Sequence, residues 1–126
     1  MAPVVLDADV LIGFLDDTDA QHARALHSLQ PYLAAGHQVL VATSVYSEVL
    51  VQPFRAGRAE VVDEFLAASG ARLVPVDRAI ARRAAQLRAE HRGLRLPDAL
   101  ALATARELEA PLLTLDEGLQ RIAAHE

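Results

Sequence analysis

Short runs of consecutive apolar residues alternate along this chain with longer stretches in which apolar positions recur every three or four residues. Val4-Val5-Leu6 closes on Asp7, and Gln38-Val39-Leu40-Val41-Ala42 leads into Thr43. Arg72-Leu73-Val74-Pro75-Val76 and Pro111-Leu112-Leu113-Thr114-Leu115 follow further on. Runs this short, bounded by turn residues, predict buried strands at 3–7, 38–42, 72–76 and 111–115. Pro75 cannot donate to a ladder and marks the third as an edge strand.

The intervening stretches read as helices. A short apolar one is expected at 9–15 and a longer one at 19–35, where Leu26, Leu29 and Leu33 share a face and Gly36 supplies the stop. Thr43 or Ser44 opens the next. Residues 58–69 are amphipathic through Val61, Val62, Phe65 and Leu66 and halt at Gly70. Helices are further expected at 77–91, ending near Gly93, at 97–108 with Pro97 in the first position, and at 117–124. Strands alternating with helices predict an α/β fold, a parallel sheet covered on both faces through right-handed crossovers. No repeat or linker divides the chain, so residues 1–126 are expected to form one domain.

Composition removes several classes of chemistry. There is no cysteine, which excludes disulfides, zinc–thiolate sites and a thiol nucleophile. No apolar run reaches the length of a membrane span. Met1-Ala2-Pro3 leads directly into a strand without a basic, apolar leader, so a cytoplasmic location is expected. The five histidines lack metal-ligand spacing, and the six glycines form no phosphate loop. Ser44 and Ser47 have no nucleophile-elbow glycines around them.

The net charge of −5 is uneven: residues 55–106 carry ten Arg against six acids, while both flanks are acidic. That middle block would offer phosphates a positive surface, although, taken alone, solvated helix faces of an Arg-only composition are the favoured explanation.

The acids are the informative residues. Asp7 and Asp116 follow the first and last strands, and Glu48 and Asp98 lie at or near the starts of helices that follow turns. In an open parallel sheet, ligands bind outside the carboxyl ends of the strands, so these four can converge. Like charges brought together resist ionisation unless a cation neutralises them, and oxygen donors select Mg²⁺ or Mn²⁺. Each acid also has a local explanation. Asp7 or Asp9 would cap the helix that follows, and Asp9 is the expected cap, which leaves Asp7 free for chemistry. Glu48 fits no capping box, and lies near Val45 and the buried face, with Arg55 as a possible structural partner. Asp98 suits the first turn of its helix. Thr114 and Glu117 have capping-box spacing, but Thr114 would equally hydrogen-bond a ligand carboxylate.

Four segments taken in order carry a resemblance. Val4-Val5-Leu6-Asp7-Ala8-Asp9-Val10-Leu11-Ile12, Ala42-Thr43-Ser44-Val45-Tyr46-Ser47-Glu48-Val49, Leu96-Pro97-Asp98-Ala99-Leu100-Ala101-Leu102-Ala103-Thr104-Ala105 and Leu112-Leu113-Thr114-Leu115-Asp116 together resemble a PIN domain, and more narrowly the VapC-type toxins of bacterial toxin–antitoxin pairs. The resemblance implies a three-layer fold with a parallel sheet of four to five strands flanked by helices. It implies an acidic site of Asp7, Glu48, Asp98 and Asp116 that is both catalytic and metal-binding, supported by Thr114, Ser44 and Asp9. Asp9 departs from the Asn, Ser or Thr more usual there. The implied activity is Mg²⁺-dependent endoribonuclease cleavage of RNA, often tRNA or rRNA, with Mn²⁺ as a substitute ion. A small antitoxin whose C-terminal segment covers the acids, often with an Arg, and a homodimer are the implied partners.

Within that reading Asp7 and Asp98 are the first choices as direct ligands. Glu48 acts through water or as a base, Asp116 completes the outer set, and arginines of the middle block hold the RNA backbone. Asp7-Ala8-Asp9 is also similar to the paired aspartates of haloacid-dehalogenase-type phosphatases, but those need a phosphate-binding Lys and this chain has none. A non-toxin RNA-processing nuclease and a non-cleaving RNA- or protein-binding module are the alternatives.

Overall fold

The structure, a computed structural model, describes residues 2–125. Among them the order is β1 (Pro3–Leu6), α1 (Ala8–Leu15), α2 (His22–Ala34), β2 (Gln38–Ala42), α3 (Thr43–Arg55) and α4 (Glu60–Ser69). Then come β3 (Arg72–Val74), α5 (Arg78–Glu90), α6 (Leu96–Glu107), β4 (Leu112–Leu113) and α7 (Glu117–His125). The four strands are parallel in the order β3-β2-β1-β4. β3 is an edge, as Pro75 suggested, and the proline lies just past the strand's last paired residue.

The strands look continuously apolar because both faces are covered. Val4, Leu6, Val39 and Val41 point to one side and join Val10, Leu11, Leu29, Val45 and Val62 from α1 to α4. Val5, Leu40 and Val74 alternate to the other, against Ile80, Leu87, Leu102 and Leu119 of α5 to α7. α6 lies so deep that Ala101 through Ala105 are all buried, and its small side chains suit a helix surrounded on most sides.

Element ends depart from the sequence reading for local reasons. α2 starts at His22 rather than residue 19 because Asp19 Oδ1 accepts from the Gln21 amide at 2.8 Å and holds a turn there. α4 starts at Glu60 rather than 58. β3 stops at Val74 rather than 76, because the Val76 amide donates to Thr43 Oγ1 instead of a strand partner. β4 is reduced to two residues because Thr114 turns towards β1 (below). Pro31 and Pro53 sit inside α2 and α3, each at a cost of one intrahelical donor.

Gly13 and Gly70 each answer a geometric demand. A Cβ on Gly13 would stand 2.9 Å from the Ala25 Cβ, so glycine permits the close approach of α1 and α2. Gly70 closes α4 at φ 67° with open space around it. Gly70→Ala is therefore expected to lose about 1 kcal/mol from backbone strain alone, read as a lower urea midpoint at unchanged slope.

Candidate active site

The sheet reverses its winding at β1: β2 and β3 lie on one side and β4 on the other. The carboxyl ends of β1 and β4 thus border a topological switch point, where open α/β sheets bind ligands. Leu6 pairs with Leu113, and the Asp7 amide donates to the Leu113 carbonyl at 2.9 Å. The next residues, Asp7 and Thr114, leave the sheet side by side, and Thr114 Oγ1 donates to Asp7 Oδ2 at 2.8 Å.

The cap of α1 is Asp7, contrary to the expectation that Asp9 would take it. Asp7 has extended backbone, and its Oδ1 accepts from the Ala8 amide at 2.9 Å. Asp9 lies in the first turn instead and reaches across to β4's end, where its Oδ2 accepts from the Leu115 amide at 3.1 Å. The same Oδ2 lies 3.3 Å from Thr114 Oγ1. One threonine hydroxyl has a single proton to offer two carboxylates, so it cannot donate fully to both. Thr114 forms no capping box with Glu117; Asp116 caps α7, its Oδ1 accepting from the Leu119 amide at 3.1 Å. Arg24 of α2 donates to the Leu115 carbonyl at 3.3 Å and steadies this loop, a contact no local pattern announces.

The other two acids approach from α3 and α6. Asp98 occupies the first turn of α6, and Arg95 pairs with its Oδ2. Glu48 stands one turn into α3. It is exposed rather than set against the buried face, and it interacts with Asp98, Arg95 and Asp9, not Arg55. Beside Glu48 a groove of about 410 Å³ opens between α1, α3 and α4, lined by Ile12, Leu15, Val49 and Val62, with Asp16 and Arg58 at its polar edge.

The electrostatics are those of crowded acids. Burial, then repulsion from Asp9 and more weakly Asp98, pushes the Asp7 carboxyl up to about 7 against the pull of its Thr114 and Ala8 hydrogen bonds. Asp9 is raised chiefly by burial, opposed by the Leu115 amide, with Asp116 adding repulsion. Glu48 is raised by partial burial of its carboxyl and by Asp98, with Arg95 pulling it back. Repulsion thus links Asp116 to Asp9, Asp9 to Asp7 and Glu48, and Asp98 to both Asp7 and Glu48.

The fold brings all the sequence-selected residues to one end of the sheet, but as an arc and not a closed cage. Among the described residues no three His, Asp or Glu side chains are grouped tightly enough to hold one metal ion as they stand. Asp98 is drawn to Arg95 and Asp116 to its own helix. The donors nevertheless fit a hard divalent cation. All are carboxylate or hydroxyl oxygens, and two buried ones, Asp9 Oδ1 and Ser44 Oγ in the first turn of α3, have no hydrogen-bond partner.

The sequence profile of the PIN domain matches residues 4–125. The chain belongs to the PIN domain family. Similar solved structures include VapC20 of Mycobacterium tuberculosis, described as a Sarcin-Ricin loop cleaving toxin, at TM-score 0.75 and 16% identity over 94% of this chain and 93% of that one. A toxin–antitoxin complex from Klebsiella pneumoniae aligns at TM-score 0.68 and 26% identity over 90% and 86%. VapBC2 of Rickettsia felis, bound to a DNA fragment from its promoter, aligns at TM-score 0.70 and 18% identity over 95% and 92%. No curated protein matches by sequence. The PIN-like three-layer architecture expected from the sequence is thus the one found, with four strands among the described residues.

Proposed function

We propose that this PIN domain, acting as a single nuclease domain, is a divalent-metal-dependent endoribonuclease and the toxin of a VapC-type toxin–antitoxin pair. The observation that carries the reading is the arc of Asp7, Asp9, Glu48, Asp98 and Asp116 at the β1/β4 switch point, in which Asp7 is pushed to about 7 by burial and neighbouring charge. Clustered acids that repel one another cost the fold stability, and a bound cation is what reverses that cost.

Asp7 and Asp98 would hold the ion directly, with Glu48 and Asp116 completing its surroundings. When bound, Mg²⁺ or Mn²⁺ would acidify a water molecule and offset charge on the scissile phosphate. Thr114 fixes the Asp7 carboxylate in register. Asp9, anchored on the Leu115 amide, turns its partnerless Oδ1 to the same end of the sheet. Glu48, raised from its ordinary value by burial and by Asp98, is suited to accept a proton from the attacking water. Ser44 offers its hydroxyl beside them. Those arginines of the 55–106 block that lie at the acids' end of the sheet would hold the RNA backbone, with tRNA or rRNA as the substrate class.

The protein would act in the cytoplasm; no described helix is long and apolar enough to cross a membrane. The groove beside Glu48 would seat the C-terminal segment of a small antitoxin, its apolar walls leading to the acids. Val51 and Phe54, one turn apart on α3 and exposed at 45% and 66%, favour a homodimer contact.

Induced expression in a bacterial host is expected to arrest growth. RNA from arrested cells should show discrete new 5′ ends, and Asp116→Asn should relieve both effects. Unimpaired growth at full expression with intact RNA would count against the toxin reading.

A further inference from the structure

Arg95 makes the same two-nitrogen contact to one carboxylate oxygen that Arg83 makes to Glu107 Oε2, but its partner is an acid of the candidate site. Its Nε and Nη2 converge on one oxygen, Asp98 Oδ2, at 3.3 and 3.2 Å. Arg83 is occupied by Glu107, Arg88 by the Leu94 carbonyl and Arg106 by the Ala123 carbonyl. Those three brace the fold, whereas Arg95 is held on an acid of the candidate site.

Its backbone is fixed, while its side chain is largely exposed. Arg95 is the extended residue before α6, and its carbonyl accepts from the Ala99 amide at 2.9 Å. Leu94 beside it is buried, and its carbonyl is tied by Arg88. The Arg95 side chain is 74% exposed against 15% for Asp98. An ion pair with one partner so exposed is weak. It is enough to orient Asp98 but little against a divalent cation competing for the same carboxylate. A guanidinium displaced from a carboxylate keeps the planar fork that fits a phosphate's oxygens.

We propose that Arg95 is a two-position residue. It rests on Asp98, and when a divalent ion takes that carboxylate it turns to a phosphate of the RNA strand beside the scissile bond. This rests on the nuclease reading above and adds to it a specific RNA contact and a coupling between ion and substrate. One residue would thereby temper repulsion among the acids before the ion arrives and anchor substrate afterwards.

The test compares wild type, Arg95→Ala, Arg95→Lys and Arg72→Ala. Arg72 lines a shallow site with Pro3 and Gln38, at the amino ends of the strands and opposite the acids. Arg95 makes no side-chain cap bond to α6, so its replacement leaves the helix start intact. Calorimetric Mn²⁺ titration without RNA should show binding about threefold tighter in Arg95→Ala, since a competing cation is gone. With a single-stranded RNA substrate, KM should rise about tenfold with kcat little changed, and the slope of log KM against log salt should fall by about 0.7, the share of one phosphate contact. Arg95→Lys should keep that salt slope while losing part of the affinity, and Arg72→Ala should match wild type throughout. Unchanged Mn²⁺ affinity in Arg95→Ala, or tighter Mn²⁺ with unaltered KM and salt slope, overturns the proposal while leaving the nuclease reading intact. A wild-type protein that neither binds Mn²⁺ nor cleaves RNA removes the nuclease reading and this inference with it.

Discussion

Asp98→Asn is expected to lower RNA cleavage by at least about 10²-fold, because even residues that only support a metal's ligands typically cost 10–100-fold when replaced. The substitution keeps the shape of the side chain and its place in the first turn of α6, where the carboxylate contributes at most about 1 kcal/mol through the helix dipole and a similar amount through Arg95. The fold should therefore be kept with a stability loss of at most about 2 kcal/mol, and the circular dichroism spectrum and urea midpoint are the controls. Mn²⁺ affinity should fall together with activity. Cleavage within a few-fold of wild type would remove Asp98 from the site.

The second large effect concerns Asp7 and runs in opposite directions for stability and activity. Its carboxyl is pushed from 3.8 to about 7 in the folded chain by burial first and Asp9 second. The folded state therefore holds a proton that the unfolded chain has released, throughout the interval between those values. The sign follows from linkage: this group's contribution worsens as pH rises from about 4 through 7 and is then constant. The fully developed cost is at most about 4 kcal/mol, the free-energy equivalent of that displacement.

Asp7→Asn abolishes the ionisation and preserves an oxygen for the Ala8 amide. It also frees the Thr114 hydroxyl proton for Asp9, which now shares it. In chelator at pH 8 the variant is expected to be more stable than wild type by about 2–3 kcal/mol, with the gap closing towards pH 4. With Mn²⁺ present the order should reverse, since only wild type gains from ion binding. Urea titrations of both proteins at pH 5 and pH 8, with and without Mn²⁺, read this directly. A gap that is absent in chelator, or that does not shrink as pH falls, would show that Asp7 is not under the strain described.

Much of this was legible in the sequence because the strands are short and apolar on both faces. Their carboxyl ends could be located to within a residue or two, and the acids there followed. Asp7 and Thr114 lie 107 positions apart, yet both fall at or near the carboxyl end of an expected strand. What the sequence did not resolve is what long-range geometry decides. The choice between Asp7 and Asp9 as cap turned on the Leu115 amide, which becomes available only when β4 docks beside β1. Its spacing to Val45 sets Glu48 near the buried face, but the turn of α3 leaves it exposed, among Asp98 and Arg95 rather than beside Arg55. β4 was read as five residues and pairs through two, because Thr114 leaves the ladder for Asp7. Arg95 was one of ten arginines in the basic block; only the position of α6 relative to β1 distinguishes it.

If these acids hold a divalent ion that drives hydrolysis of RNA, cleavage must depend on that ion. The most direct test is to incubate the purified protein with RNA in Mg²⁺ and in chelator and to determine the chemistry of the new ends. Discrete fragments formed only with Mg²⁺, restored by Mg²⁺ after chelation and free of 2′,3′-cyclic phosphate, are the predicted result. Fragments that persist in chelator and carry cyclic phosphate would contradict it, because they would require acid–base catalysis through the ribose hydroxyl rather than a metal-assisted attack by water.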